Sequence, residues 1–314
     1  LGERTDALTY DDAHAFSDTA GELWFQTIDQ IRPLVPDLYL LGRIGLIHAA
    51  SDIYAMGGEV VSVLANLSIA ESEGRVADNL FAQLSAGGFD QASVEGFTIH
   101  GGHSTEGLET QIGYAVTGRL LGASVRSKRG LRVGDVLVLT KQLGVGLIFA
   151  AAMQRQIESG AIEAAIKAML QSNRNAVMAL DELDVSAMTD VTGFGLAGHL
   201  SEMVRGEEKG VAIDFNALPV LPGVDSLLAQ TSVESSLSSH NRAAVDGWLN
   251  AQPASTADEA RLRLLFDPQT SGGLLIGVAR TELDHCLERL RNAGYVNAAA
   301  IGVVTPTDCA EVIF

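Results

Sequence analysis

The chain of 314 residues is 47% hydrophobic and 19% charged, enough apolar material for two ordinary domains or one large one. Its net charge of −18 argues against a nucleic-acid backbone or an anionic membrane surface as partner. Polyphosphate is still permitted when divalent cations lie between the two sets of negative charge. The two cysteines, Cys286 and Cys309, have no CxxC spacing, which excludes a disulfide framework or a cysteine-rich zinc site and fits a reducing, cytoplasmic setting. No apolar run reaches the roughly 18 residues of a membrane span.

In chain order, residues 1–20 read as loop and short strand, rich in Asp and Thr. Residues 40–56 carry a helical pattern, with Leu40, Ile44, Ile47 and Tyr54 near one face and Gly57-Gly58 at its end. Residues 60–69 are strand-like, and 74–87 form an amphipathic helix. Residues 97–100 form a short strand running into a turn at Gly101-Gly102, and 111–121 alternate as a strand. The basic, glycine-bounded stretch 122–134 separates an N-terminal domain, 1–122, from a C-terminal domain, 123–314. In the second half, 135–140, 211–215 and 273–279 read as strands. Residues 148–156, 161–183 and 281–293 read as helices, the second with Ile162, Ile166, Met169 and Leu170 on one side. Residues 247–258 read as an exposed loop, and the chain ends in a short strand near Val312. No short-period repeat is visible. The mixture predicts an α+β architecture with two related sheets.

The chemistry sits on separated carboxylates. Asp11 and Asp12 lie in Leu8-Thr9-Tyr10-Asp11-Asp12-Ala13, and Asp29 follows Thr27-Ile28. Asp52 lies in Ser51-Asp52-Ile53-Tyr54-Ala55-Met56-Gly57-Gly58. A strand at 185–188 reaches Asp190, then the turn Val191-Thr192-Gly193-Phe194-Gly195, then a helical pattern carrying His199. A second turn, Asp267-Pro268-Gln269-Thr270-Ser271-Gly272-Gly273, precedes an apolar strand. Oxygen ligands of this kind suit Mg²⁺ with phosphate, and glycine lets backbone approach a ligand closely. Each aspartate taken singly reads as a cap or turn residue rather than a metal ligand. Gly101-Gly102-His103-Ser104 reads alone as a tight turn, His199 as a structural residue bonding a backbone carbonyl, and Cys286 as core. Gly272-Gly273 reads as shaping its turn.

These stretches, taken together in this order, resemble the selenophosphate synthetases, or selenide, water dikinases. The matching segments are Asp11-Asp12-Ala13, Ser51 to Gly58, Gly101 to Ser104, Asp190 to Leu200 with the preceding Thr189, and Asp267 to Leu275. The resemblance implies the two-domain fold of the aminoimidazole ribonucleotide synthetase-like ATPases, with an N-terminal sheet that pairs across a homodimer. It implies conversion of selenide, ATP and water to selenophosphate, AMP and phosphate. It implies Asp12, Asp52 and Asp190 as Mg²⁺ ligands. It implies Thr9, Tyr10, Asp11, Asp29 and Asp52 at the nucleotide, joined by Gly102, His103 and Ser104 of the neighbouring subunit.

Three departures stand out. The family's glycine-rich N-terminal segment with Cys or selenocysteine and Lys has no counterpart, so no catalytic residue is assigned and the chain reads as a fragment. Some family members are fused behind an FAD-dependent oxidoreductase domain, and a chain opening on Leu1 fits the synthetase part of such a fusion. His48 stands where Asn is common, and Glu59-Val60 replaces Lys-Pro. A second reading is a catalytically silent Mg·ATP-binding sensor of the same superfamily.

Overall fold

The computed structural model describes residues 11–72, 74–122, 124–230, 232–250, 255–307 and 310–313. It divides into two compact units: Leu1–Val125 with Leu170–Arg174, and Arg126–Met169 with Asn175–Phe314.

The first unit contains β1 (His14–Ser17), β2 (Leu23–Ile31), α1 (Leu38–Ala55), β3 (Gly58–Ala70), α2 (Gly74–Glu95), β4 (Ile99–Gly107) and β5 (Gln111–Leu120). Its strands form one sheet in the order β1-β2-β5-β3-β4, in which only the β3–β4 pair is parallel. Asp37 caps α1 by accepting the Leu40 N–H at 3.0 Å. Buried residues surround α1 on most sides because it lies between the sheet and α2. The two helices cross at contact distance through glycine. A Cβ on Gly42 would stand 2.2 Å from the Leu84 carbonyl oxygen, and one on Gly87 1.9 Å from that of Tyr39. Gly87 therefore does not end the helix, as its position in sequence predicts; α2 continues to Glu95.

The Gly101-Gly102 pair departs from expectation in the same way. The predicted turn is strand, and β4 runs through Gly-Gly-His-Ser to Gly107 beside β3. A Cβ on Gly102 would lie 1.9 Å from the Ala65 carbonyl oxygen, so the glycine serves close strand approach. Strand β2 escapes the sequence reading altogether. Its core-facing residues Phe25, Thr27, Asp29 and Ile31 include two polar ones, which blurs the apolar alternation.

The second unit contains β6 (Val136–Leu139), α3 (Val145–Met153), α4 (Ser159–Met169), α5 (Arg174–Leu180), β7 (Val185–Asp190), α6 (Gly195–Val204) and β8 (Gly210–Asp214). It continues with α7 (Val224–Gln230), α8 (Ser238–Ala244), β9 (Leu249–Asn250), α9 (Thr256–Leu262), β10 (Leu274–Val278), α10 (Leu283–Asn292), β11 (Ala299–Thr305) and β12 (Ala310–Ile313). The strands form a sheet in the order β7-β10-β6-β11-β8-β12-β9. The predicted single helix over 161–183 is two helices, broken at Gln171-Ser172-Asn173. The predicted loop at 247–258 holds β9 and the start of α9. Cys286 is fully buried on α10, and burial pushes its thiol up to about 11. Cys309 lies outside the described residues.

Candidate active site

In the first unit, α1 and β2 face each other across matched spacings. Four residues of helix rise about 6 Å. Two residues of strand span about 6.6 Å. His48 and Asp52, four apart on α1, therefore line up with Asp29 and Thr27, two apart on β2. The Thr27 hydroxyl donates to Asp52 Oδ2 at 2.5 Å, and His48 Nε2 stands 3.9 Å from Asp29 Oδ2. The Asp29 side chain is 35% exposed, so this surface is open to solvent. Asp11 and Asp12 occupy the half-buried bend that leads into β1. The first residue of β1, His14, pairs with Gln26, so Asp12 enters the sheet at the Thr27–Asp29 end of β2. Thr9 and Tyr10 lie outside the described residues.

Gly102, His103 and Ser104 are elsewhere in this unit. They stand on the edge strand β4, separated from β2 by β5 and β3. There they line a cavity of about 350 Å³ with Phe81 and Phe89 of α2. No aspartate lines that cavity. Within one chain the glycine-histidine-serine segment and the Asp29–Asp52 surface are two places, not one.

In the second unit the two turn motifs of the sequence become a single assembly, because β7 and β10 are neighbours and Asp190 pairs with Leu274. Asp190, the last residue of β7, is buried. The turn after it is held from several sides. The Val191 N–H donates to the Gly273 carbonyl at 2.9 Å, and the Gln269 N–H to the Thr192 carbonyl at 3.0 Å. Asn241 Nδ2 donates to the Gly193 carbonyl at 2.9 Å. A Cβ on Gly272 would lie 1.9 Å from the Val191 carbonyl oxygen, which explains the glycine at that point.

His199 corrects the expectation placed on it. Its role is structural, but it accepts: the Thr192 N–H donates to Nε2 at 3.0 Å. That bond requires the neutral ring with its proton on Nδ1, which faces Glu202 Oε2 at 3.7 Å. Glu202 in turn pairs with the buried Lys128 at 3.3 Å. Burial, with the nearby Lys128 charge, pulls the His199 pKa down to about 3.

Asp267 and Gln269 close the start of α3. Gln269 Oε1 accepts from the Gly144 and Val145 N–H groups at 3.2 and 3.3 Å, and its Nε2 donates to Asp267 Oδ2 at 2.9 Å. Gly144 has no side chain with which to cap this helix, so Gln269 does it from far along the chain. Asp267 is wholly buried, and burial raises its pKa to about 7 against the opposing hydrogen bonds from Gln269 and the Leu147 and Gly146 N–H groups. Lys141, also buried, donates to the Ser271 carbonyl at 2.9 Å. Thr27, Lys141 and Gln269 were not candidates in the sequence. The Thr27-Ile28-Asp29 alternation is the one local signal that could have revealed Thr27, had β2 been recognised.

Among the described residues, no three His, Cys, Asp or Glu side chains stand ready as a metal-binding cluster. None of the described helices is long and apolar enough to cross a membrane.

The fold and its glycine-bearing turns define a class. Residues 10–123 match the family "AIR synthase related protein, N-terminal domain", and 132–314 match "AIR synthase related protein, C-terminal domain". Among solved structures, E. coli HypE, a hydrogenase maturation protein, superposes with a TM-score of 0.73 at 18% identity, over 97% of this chain and 88% of that one. The thiamine monophosphate kinase of Aquifex aeolicus gives 0.68 at 15% identity, over 97% and 91%. Within this class, a selenide, water dikinase of Geobacter metallireducens is 37% identical over 305 residues, 97% of this chain and 87% of the relative. The chain belongs to the selenide, water dikinase family, whose members are phosphotransferases.

Proposed function

We propose that the chain makes selenophosphate from selenide, ATP and water, releasing AMP and orthophosphate, in the cytoplasm. The observation that carries the reading is the 37% identity with a selenide, water dikinase across both units. It is supported by the facing of Thr27 and Asp29 on β2 with His48 and Asp52 on α1. AaThiL, of the same fold, was solved with AMPPCP and TMP.

In this reading Asp12, Asp52 and Asp190 hold Mg²⁺, and Asp11 and Asp29 stand at the nucleotide with Thr9 and Tyr10. The fit of a hard cation rests on the donor chemistry: carboxylates with a hydroxyl beside them, on a surface that solvent reaches at Asp29. When bound, Mg²⁺ would neutralise the triphosphate and stabilise charge on the transferred phosphoryl group. Thr27 keeps the Asp52 carboxylate turned toward β2, so that ligand binding need not order it. The deciding experiment is anaerobic phosphorus NMR with ATP, Mg²⁺ and selenide. Selenophosphate and AMP should appear together; ADP as the only nucleotide product would reject the reaction.

The same reading makes the chain a homodimer. Ile28 of β2 and Leu64 of β3 both pair with Ala115 of β5, forming an apolar row across the outer sheet face. They are 66% and 50% exposed, far more than a lone sheet face favours. A second copy laid on this face would cover the row, and would bring its own β4 segment Gly102-His103-Ser104 to the nucleotide. Light scattering at micromolar concentration should give the dimer mass, and Leu64→Glu should give the monomer. A monomeric wild type would remove the dimer from the proposal.

A further inference from the structure

The break between α4 and α5 has a use that links it to Asp52. Residues 161–183 have helical periodicity, yet the helix stops at Met169 and restarts at Arg174. The residues of the break, Leu170–Arg174, pack with the first unit although they come from the second half of the chain. Two polar side chains reach its core from there. Asn173 Nδ2 donates to Ser51 Oγ at 2.9 Å, and both residues are 1% exposed. Ser172 Oγ donates to Glu95 Oε2 at 2.9 Å and also accepts the Arg174 N–H at 3.2 Å, capping the restart of the helix. The same Glu95 carboxylate accepts from Tyr54 Oη at 3.0 Å and from Gln91 Nε2 at 3.1 Å. Short polar side chains that compete for backbone groups are suited to ending a helix at such a point.

Ser51 and Tyr54 are three apart on α1 and share a face. Asp52 projects from a different face, toward Thr27 of β2. The 172–173 segment therefore grips α1 from behind, at the level of the carboxylate that α1 presents to β2. Rotation of α1 about its axis, which would carry Asp52 away from Thr27, has to break the Ser51–Asn173 bond and strand buried polar groups.

We infer that Asn173 is a positioning residue for Asp52: through Ser51 it fixes the rotation of α1 and so the direction of the metal-binding carboxylate. The inference rests on the proposed Mg·ATP role of Asp52. Residues behind a metal ligand usually matter to metal affinity by 10- to 100-fold. Asn173 reaches the ligand through one intervening side chain and a helix backbone, so the effect belongs at the lower end, roughly tenfold.

The test is calorimetric titration of the full chain with Mg·ATP and with ATP in EDTA, alongside thermal melts. Asn173→Ala and Ser51→Ala should each weaken Mg·ATP binding roughly tenfold, and the double variant should be no worse than either alone. Binding of metal-free ATP should not change. Leu290→Val, a buried change on α10, supplies a stability control. If it lowers the melting temperature as much as Asn173→Ala and weakens Mg·ATP as much, Asn173 acts only on stability and the inference is overturned. Asp52→Asn separates the two levels of the argument. Loss of binding in Asp52→Asn with full binding in Asn173→Ala would overturn the inference alone. Full binding in Asp52→Asn would overturn the proposed function of the site beneath it.

Discussion

The α1–β2 surface and the paired turns at 190–195 and 267–273 are both built from segments that match the same family, but they treat polar groups oppositely. On the first, Asp29 is 35% exposed in its side chain, and its neighbour His48 is a loose 3.9 Å away. On the second, Asp190, His199, Asp267, Gln269 and Ser271 are buried, and backbone donors and acceptors engage the turn from several directions. Long segments that resemble a family thus contain two kinds of residue. Some are proposed to face a ligand; others hold a turn in place. Asp190 is where the two kinds meet, a proposed metal ligand at the root of a locked turn.

If the turns are structural, their titratable groups should mark stability rather than binding. The largest effect belongs to His199. Its folded pKa is lowered from 6.5 to about 3, so the unfolded state takes up a proton first as pH falls. Stability present above pH 6.5 is lost on acidification toward pH 3, by on the order of 5 kcal/mol. In denaturant titrations across this range, His199→Gln, which keeps an acceptor for the Thr192 N–H, should lack that loss. An equal acid sensitivity in the variant would show that the ring is not buried in its neutral form.

Asp267 should behave with the opposite sign. Its folded pKa is raised from 3.8 to about 7, so the folded state holds a proton that the unfolded state has released. Its contribution falls as pH rises from about 4 to about 7, by up to about 4 kcal/mol. The stability difference between wild type and Asp267→Asn should shrink over that window and level off above it. A difference that does not vary with pH would place the carboxylate in a more polar setting than its burial implies.

Gly272→Ala tests the interlock of the two turns sterically. The added Cβ meets a backbone carbonyl that cannot move without disturbing the Val191–Gly273 hydrogen bond, so a loss of about 3 kcal/mol is expected in chemical denaturation. Gly193→Ala, in the partner turn, meets nothing within 4 Å and should cost much less. Equal losses would remove the close approach as the reason for glycine at 272. The smallest effect is at the open surface: His48→Asn should change stability by less than about 1 kcal/mol, since a long pair in contact with solvent contributes little.

Much of this was legible in the sequence. The apolar periodicities gave α1, β3 and β5 to within a few residues, and the ordered segments gave the family. What was hidden has physical causes. The glycines at 87, 88 and 102 look like terminators, but they permit close approach between elements, which depends on a partner that local pattern does not reveal. Strand β2 was concealed by Thr27 and Asp29, polar residues on its inward side that interrupt the apolar alternation. The helix at 161–183 has the right period throughout, yet Ser172 and Asn173 find buried partners more than 70 residues away. His199 could be read as structural, but not as an acceptor, because the direction of a hydrogen bond depends on which backbone group faces the ring.

The contrast between the open surface and the locked turns is tested most directly by titrating wild type, Asp52→Asn and Asp267→Asn with Mg·ATP and melting each in parallel. Asp52→Asn should weaken binding by about 100-fold and leave the melting temperature nearly unchanged, since Asp52 is proposed to touch the metal itself. Asp267→Asn should change the melting curve and its pH dependence, with binding by the folded protein within about threefold of wild type, under 1 kcal/mol. Undiminished Mg·ATP affinity in Asp52→Asn, or its loss in a fully folded Asp267→Asn, would contradict the division of roles.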